Sequence, residues 1–172
     1  MQNDINNSGK GNENKNVSYS GNKNNIYYWF LGFWSIKARG MDTEQNYSLL
    51  EGIIPPGIET PLHVHSREEE AFYIQQGNIL FQYGKSMIST SSGDYLYLKR
   101  GIPHKFKNIG TNTGNLMVVL SPPGIEQLFE KGVPVQDITS FDFKNLSSVS
   151  KSLGSSNRLK TLEEYGIKEV TE

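Results

Sequence analysis

The sequence predicts an all-β domain, a sandwich or barrel with short helices at its C-terminal end, in a chain of 172 residues. Three observations predict this fold class. Short segments rich in aromatic and β-branched residues recur along the chain, turns containing glycine or proline separate them, and helical periodicity occurs only after residue 121. Short strands at close and even spacing are typical of sandwiches and barrels. The length suits one domain with a substantial core.

Composition divides the chain into three parts. Residues 1–25 include nine asparagines and no clustered apolar run, so we expect a disordered arm without a secretion signal. The predicted barrel occupies residues 26–143, and residues 144–172 hold a serine-rich linker and a C-terminal helix that packs on the barrel. The most apolar run, Ile26–Trp34, is about half the length that spans a bilayer. We therefore expect a buried strand there and a cytoplasmic protein.

Each predicted strand is bounded by residues that stop or turn the chain. The first strand covers Ile26–Arg39 with a bulge or a close backbone approach at Gly32, and the second covers Tyr47–Ile54, where Pro55 and Pro56 end it. Further strands are expected at His63–His65, in a segment that starts near Glu69, and at Ile79–Tyr83, Ser86–Thr90, Tyr95–Leu98, His104–Asn108 and Leu116–Leu120.

Helical patterns occur only after these strands. Ile125, Leu128 and Phe129 follow an i, i+3, i+4 spacing, which indicates one amphipathic helix of about two turns. Val135–Phe143 favours a further strand or an extended cover, and Arg158–Tyr165 favours a terminal helix. The sequence shows no internal repeat and no helix-turn-helix pattern.

Charge and cysteine content exclude several kinds of partner and site. The net charge is −1 and the isoelectric point is about 6.3, so the chain lacks the basic excess that binds nucleic acid. Cysteine is absent, which excludes disulfides and thiolate metal sites. We expect a small-molecule substrate or ligand as the partner, and neither nucleic acid nor a membrane.

All three histidines lie in two short segments that begin with glycine, GIETPLHVHSREEEAFYIQQG and GDYLYLKRGIPHKFKN. His63 and His65 are two residues apart, so in a strand their imidazoles project from one face and can share an ion. Glu70 follows five residues later, and His104 lies in the second segment. A single strand histidine is ordinarily a packed side chain, whereas three imidazoles with one carboxylate match the ligands of a divalent transition metal. The sequence therefore predicts a metal site.

Glu70 is the candidate ligand among three consecutive glutamates. It continues the inward-facing parity of Phe72 and Ile74, and a carboxylate in an apolar interior needs a partner such as a metal. The other two glutamates are expected to be solvated turn residues. Glu51 alternates within an apolar strand, so it is either an acceptor for a ligand histidine or an exposed edge residue.

Strand parity also gives candidate substrate-binding residues on the walls of an apolar pocket. The candidates are Phe72, Phe106, Tyr47 and Met117, with Ile74 and Leu49 beside them. Aromatic and aliphatic walls suit a flat phenolic or other hydrophobic ligand better than a sugar phosphate. The alternative is that these side chains form an ordinary core.

The two histidine segments resemble the two motifs of the cupins. Their first motif reads G, five residues, H-x-H, four residues, E, six residues, G, and the matching residues are Gly57, His63, His65, Glu70 and Gly77. The residues that match the second motif are Gly93, Gly101, His104 and Asn108, and Lys99 stands where the motif has proline. The flanking sequences YSLLEG, SPPGIEQLFE and LEEYGI are similar to those of single-domain quercetin-2,3-dioxygenase-like cupins.

This resemblance implies a jelly-roll β-barrel that binds one divalent transition metal ion through His63, His65, Glu70 and His104. The metals of the family include iron, manganese, nickel, cobalt, copper and zinc. In quercetinase-like enzymes the metal-bound glutamate takes the hydroxyl proton of the substrate, which implies a catalytic role for Glu70. We therefore expect a metal-dependent dioxygenase that oxidises a small aromatic or enolisable substrate with O2.

The resemblance leaves two other functions open. One is a non-catalytic cupin that binds a metal or a small ligand, and the other is a metal-dependent isomerase, epimerase or decarboxylase. Cupins commonly pair, so we also expect a homodimer. The apolar segment Ile26–Trp34 is the candidate edge strand of that dimer, because an exposed strand of this composition otherwise promotes aggregation.

Overall fold

The computed structural model describes residues 26–29, 32–136 and 155–170. In the last of these ranges it describes side chains only from Arg158 onwards. The disordered arm predicted over residues 1–25 lies outside the described residues, and so does the predicted serine-rich linker up to residue 154. Within the described parts of the chain, no helix is long and apolar enough to cross a membrane.

Two antiparallel sheets make up most of the described structure. The larger sheet has seven strands: β1 (Ile26–Trp29), β2 (Gly32–Ala38), β3 (Ser48–Ile54), β5 (Glu69–Gln76), β8 (Tyr95–Leu98), β10 (Gly114–Ser121) and β11 (Val133–Val135). The smaller sheet has five strands: β4 (His63–His65), β6 (Ile79–Tyr83), β7 (Ser86–Thr90), β9 (His104–Asn108) and β12 (Ile167–Glu169). Their spatial orders are β11-β1-β2-β3-β10-β5-β8 and β12-β4-β9-β6-β7.

The helical segments are short. Among the residues that the structure describes, they comprise a 3₁₀ turn at Gly40–Thr43, helix α1 at Glu126–Phe129 and helix α2 at Ser155–Glu164. Two antiparallel sheets with few helices confirm the predicted all-β jelly-roll class. The amphipathic helix predicted around Ile125 is present, and it is shorter than expected because the chain leaves the helix after Phe129.

The apolar run near the start of the described chain forms two strands, so the single bulged strand predicted for it is wrong. β1 and β2 pair in antiparallel fashion, with Trp29 opposite Gly32. Tyr28 and Phe33 are buried in one apolar cluster, while Trp29 and Trp34 are buried in the main core. Because both faces of this hairpin are covered, its sequence has no alternation to mark the reversal.

The same run does not lie at an edge of its sheet. β1 pairs with β2 on one side and with β11 on the other, so β11 is the edge strand. β11 corresponds to the start of the strand or cover predicted over residues 135–143, most of which lies outside the described residues. The predicted role of Ile26–Trp34 as a dimer edge is therefore wrong, and the homodimer itself stays a prediction.

The core lies between the two sheets, whose inward-facing side chains are apolar. The ring of Phe72 lies 5.1 Å from that of Phe81, and Phe81 lies 5.7 Å from Phe106, measured between centroids. Gly52 leaves room for Trp34, since a Cβ at Gly52 would lie 2.7 Å from the indole ring. Each large side chain buried in this way contributes about 1.5–3 kcal/mol to folding. This packing fixes the strands that carry the candidate site.

The C-terminal segment ends in a strand that the sequence did not predict. The predicted terminal helix is present as α2, after which Gly166, with φ of 76°, turns the chain into β12. β12 pairs with β4 over three residues. A strand of three residues is too short to show a hydrophobic period, and its partner lies about a hundred residues earlier in the chain.

Candidate metal centre

The structure brings the four predicted ligands together. His63 and His65 project from β4, Glu70 from β5 and His104 from β9. Their candidate ligand atoms all lie within 4.8 Å of one another, and all four residues are buried. The two strand histidines share a face because of their spacing of two residues, and the register places His104 directly opposite His63.

Two of the imidazoles are oriented by backbone carbonyls two residues earlier in the chain. His63 Nδ1 lies 2.8 Å from the Pro61 oxygen, and His104 Nδ1 lies 2.9 Å from the Ile102 oxygen. A carbonyl oxygen can only accept, so each Nδ1 carries the hydrogen of its hydrogen bond. In the neutral rings Nε2 is then the unprotonated nitrogen, which is the form that binds a metal.

Glu68 orients the third imidazole, and sequence reasoning missed this residue. It is 1% exposed, and its Oε2 lies 3.5 Å from His65 Nδ1. The prediction that Glu68 is a solvated turn residue is therefore wrong. A run of three glutamates gave no indication that one would fold inward beside Glu70. A carboxylate behind a ligand histidine fixes the tautomer and increases the basicity of the ring.

Glu70 and His104 form the closest pair of the cluster. Glu70 Oε2 lies 2.7 Å from His104 Nε2, and Glu70 Oε1 lies 3.8 Å from His65 Nε2. Glu70 Oε2 and His104 Nε2 are close and buried, but neither atom makes a hydrogen bond of acceptable geometry. Buried polar atoms without hydrogen bonds are rare and costly. Three imidazoles and one carboxylate fit a divalent first-row ion, which would give both atoms a partner.

Charges within the cluster set the protonation of its members. Burial, followed by repulsion from His104 and His65, lowers the pKa of His63 to about 3. Burial alone would raise the pKa of Glu70, but attraction to His65 and His104 lowers it to about 2. Burial opposes charge on His104 as well, yet the Glu70 carboxylate raises the pKa of this histidine. At neutral pH Glu70 is therefore ionised and His63 is neutral.

The stability of the metal-free protein should fall in acid because of His63. Its pKa in the folded state is about 3, below the ordinary 6.5, so between these values the unfolded chain binds the extra proton. The free energy of unfolding is expected to decrease by at most about 1.4 kcal/mol per pH unit from pH 6.5 towards 3. Urea denaturation between pH 7.5 and 4 measures this slope.

The matched variant for this measurement is His63→Gln, which cannot take up the proton. Protonation of Glu70 also lowers the free energy of unfolding as the pH falls, but only below its ordinary pKa of 4.5. The raised pKa of His104 has the opposite effect on stability. The stability that it contributes is complete below the ordinary pKa of 6.5 and is lost as the pH rises through the raised pKa. The variant should have a shallower slope between pH 6.5 and 4.5. Equal slopes in the two proteins would contradict the assignment to His63.

A small cavity of about 40 Å³ adjoins three of the four candidate ligands, His63, His65 and Glu70, with room for about three water molecules. Two predicted wall residues, Phe72 and Phe106, line it. Among the described residues on its wall, Thr60 is the only polar one besides the metal ligands. The other lining residues are Trp34, Leu50, Val118, Leu120, Ile125, Leu128, Phe129 and Ile167.

The other two predicted wall residues lie elsewhere. Tyr47 precedes β3 and is 41% exposed, and Met117 lies on the outer face of β10. Leu50 and Val118 occupy the inner face instead, one residue out of phase with the prediction. The parity of these strands was misassigned, and a shift of one residue exchanges the two faces of a strand. Of the two neighbours predicted with them, Ile74 is buried in the core away from the cavity, and Leu49 is on an outer face.

The structure also decides between the two interpretations of Glu51. Its Oε2 lies 2.7 Å from Lys37 Nζ, and the register of β3 places Glu51 opposite Ser35 and Met117. Met117 is on the outer face, so Glu51 is as well. It is a partly exposed residue in an ion pair, remote from the ligand histidines.

Comparisons with known proteins agree with the fold and the site. The family model described as "Cupin domain" matches residues 50–120. An uncharacterized protein of Methanocaldococcus jannaschii is 36% identical over 76 residues, which is 44% of this chain and 61% of the relative. This chain therefore matches somewhat less than two thirds of the length of that relative.

Solved cupin structures show the same architecture. An RmlC-like cupin from Shewanella frigidimarina superposes with a TM-score of 0.55 at 14% identity, covering 64% of this chain and 96% of that one. The cupin domain of Schizosaccharomyces pombe Cnp3 gives a TM-score of 0.53 at 19% identity, covering 75% and 85%. At these identities the likeness concerns the fold alone.

Fold and site together define a jelly-roll β-protein with a buried histidine and glutamate cluster that could hold a metal ion. The family match places both histidine motifs inside a cupin domain, since residues 50–120 include all four candidate ligands. Residues 50–120 match the cupin domain, and the fold agrees with that match.

Proposed function

We propose that this protein is a metal-dependent dioxygenase of quercetinase type that acts on a small enolisable substrate. The observation that carries the proposal is the buried, ionised Glu70 within the ligand cluster, beside a small apolar cavity. His63, His65, Glu70 and His104 would hold a divalent metal, which would supply Lewis-acid and redox chemistry for the reaction of an enolate with dioxygen.

The chain itself supplies the base. Glu70 is ionised at neutral pH, so one of its carboxylate oxygens can accept the proton that an enolisable substrate loses. The backbone carbonyls behind His63 and His104 and the Glu68 carboxylate behind His65 hold the imidazoles in place. Positions fixed by such contacts cost little reorganisation during the reaction.

The cavity limits the substrate class. Space for about three water molecules suits a compact 1,3-dicarbonyl compound and is too small for a flavonol with its fused rings. The described walls contribute no cationic side chain for a phosphate. Apart from the candidate metal ligands, they also contribute no second acid or base beside Glu70, as a two-base epimerase requires. Oxidation of an enolate needs only the one base.

A non-catalytic metal-binding cupin is the second candidate, favoured by the small size and near-complete burial of the site. The test begins with elemental analysis of natively purified protein. Metal-free protein is then loaded separately with iron, manganese, nickel, cobalt, copper or zinc. Oxygen consumption is measured with a series of 1,3-diketones and one flavonol, and ¹⁸O₂ labelling reports whether both oxygen atoms enter the products.

The decisive variant is Glu70→Gln, which keeps the shape of the side chain and removes the base. Turnover per bound metal is expected to fall by about 10²-fold to 10⁴-fold. Glu69→Gln is the control, because Glu69 is adjacent in sequence but contacts Tyr97 and Arg100 outside the cavity. Metal uptake without oxygen consumption by any loaded form would refute the dioxygenase and leave the non-catalytic function.

A further inference from the structure

The strand that carries two of the candidate ligands is completed by the C-terminal segment. β4 meets β9 through one residue pair, His63 opposite His104. On its other side three residues of β12 pair with it, and beyond that register the Val170 amide donates to the Leu62 oxygen at 2.9 Å. Without β12, β4 would be an edge strand with unpaired backbone groups.

The register of this pairing places one side chain at the site. Ile167 lies directly opposite His65, and residues opposite each other in an antiparallel pair project to the same face. Accordingly Ile167 is 2% exposed and lines the cavity beside the ligands. It lies outside residues 50–120, which the cupin family model matches.

Further contacts fix the position of Ile167. The Ser66 amide and hydroxyl both donate to the Gly166 oxygen, at 2.9 and 2.8 Å. At the other end of β12, Glu169 Oε2 accepts a hydrogen bond from Arg158 of α2 at 3.1 Å, and Glu169 Oε1 forms an ion pair with the same guanidinium at 2.7 Å. Contacts on both sides of Ile167 hold its backbone, and this places the side chain in the wall of the cavity.

We propose that Ile167 is a specificity-determining residue that sets the size of the ligand admitted to the metal centre. This inference rests on the proposed function, because it assumes that a small molecule binds beside the metal. A cavity of about 40 Å³ admits only a small ligand. A smaller side chain at position 167, beside His65, would enlarge the cavity where the ligand binds. One methylene in such a pocket changes discrimination by roughly 10-fold to 200-fold.

The test uses the full chain loaded with Co²⁺, whose visible spectrum reports ligands that enter its coordination sphere. Acetylacetone is the small probe and dibenzoylmethane is its bulky analogue. The unaltered chain should bind acetylacetone and bind dibenzoylmethane at least about tenfold more weakly. Ile167→Ala should raise the affinity for dibenzoylmethane by about tenfold or more and change that for acetylacetone less than about threefold.

Two further variants keep the test decisive. Ile167→Val removes one methyl group with little risk to folding and should give an intermediate gain for dibenzoylmethane. Lys168→Ala alters the exposed neighbour on the opposite face of β12 and should behave as the unaltered chain. Binding of Co²⁺ and acetylacetone with no gain in either Ile167 variant overturns this inference alone. A chain that binds no Co²⁺ overturns the proposed function and this inference together.

Discussion

A His104→Ala variant is expected to bind divalent metal about 100-fold more weakly than the unaltered chain, or not at all. The substitution removes one of four ligands, and even the loss of a residue behind a ligand costs about 10-fold to 100-fold in affinity. It also removes the neighbour 2.7 Å from Glu70 Oε2. Removing one member of a buried pair destabilises a protein by about 3–5 kcal/mol, so the metal-free variant should also unfold more readily.

Competition with a fluorescent chelator measures the affinity, and elemental analysis after dialysis gives the stoichiometry. Lys107→Ala is the matched control, because Lys107 lies on the same strand and pairs with Glu59 at the surface. His104→Gln restores the volume and a polar atom, so it should recover part of the stability but little of the metal affinity. Affinity close to that of the unaltered chain in His104→Ala would show that the cluster is not a metal site.

The ligands could be predicted because strand geometry relates their sequence spacing directly to their positions. His63 and His65 had to share a face once their segment was extended, and Glu70 continued the parity of the buried Phe72. The hairpin Ile79–Tyr83 and Ser86–Thr90 was also predicted with the bounds observed, since Gly84 marks its turn. In these segments a local pattern determines the structure.

The cavity walls could not be predicted in the same way. Tyr47 and Met117 were assigned inward by parity, but a strand with apolar residues on both faces gives no sign of which face is inner. Ile125 and Ile167 reach the site from segments remote in sequence, through contacts set by the topology of the whole chain. Specificity therefore depends on the least predictable part of the site, whereas the chemistry depends on the most predictable part.

An Asn108→Ala variant is expected to lose about 3 kcal/mol or more of folding stability, although Asn108 is not a metal ligand. This side chain is fully buried at the end of β9 and connects the two sheets. Its Nδ2 donates to the oxygen of Ile54, at the end of β3, at 2.8 Å and to the oxygen of Asn112 at 2.9 Å. Its Oδ1 accepts from the Gly110 amide at 2.9 Å. Alanine leaves the Ile54 carbonyl without that partner in a buried region, and the Gly110 amide and the Asn112 carbonyl lose theirs in partly buried ones. An unsatisfied buried group costs about 1–3 kcal/mol.

Chemical denaturation of the metal-free protein measures the loss, and two variants separate hydrogen bonding from packing. Asn108→Asp keeps the shape and the bond from Gly110, but it places an acceptor against two carbonyl oxygens. It should be at least as destabilising as alanine. Asn112→Ala leaves the accepting carbonyl in place and removes only an exposed side chain, so it should change stability by less than about 0.5 kcal/mol. If Asn108→Asp were as stable as the unaltered chain, packing rather than hydrogen bonding would be the contribution of Asn108 to the junction between the sheets.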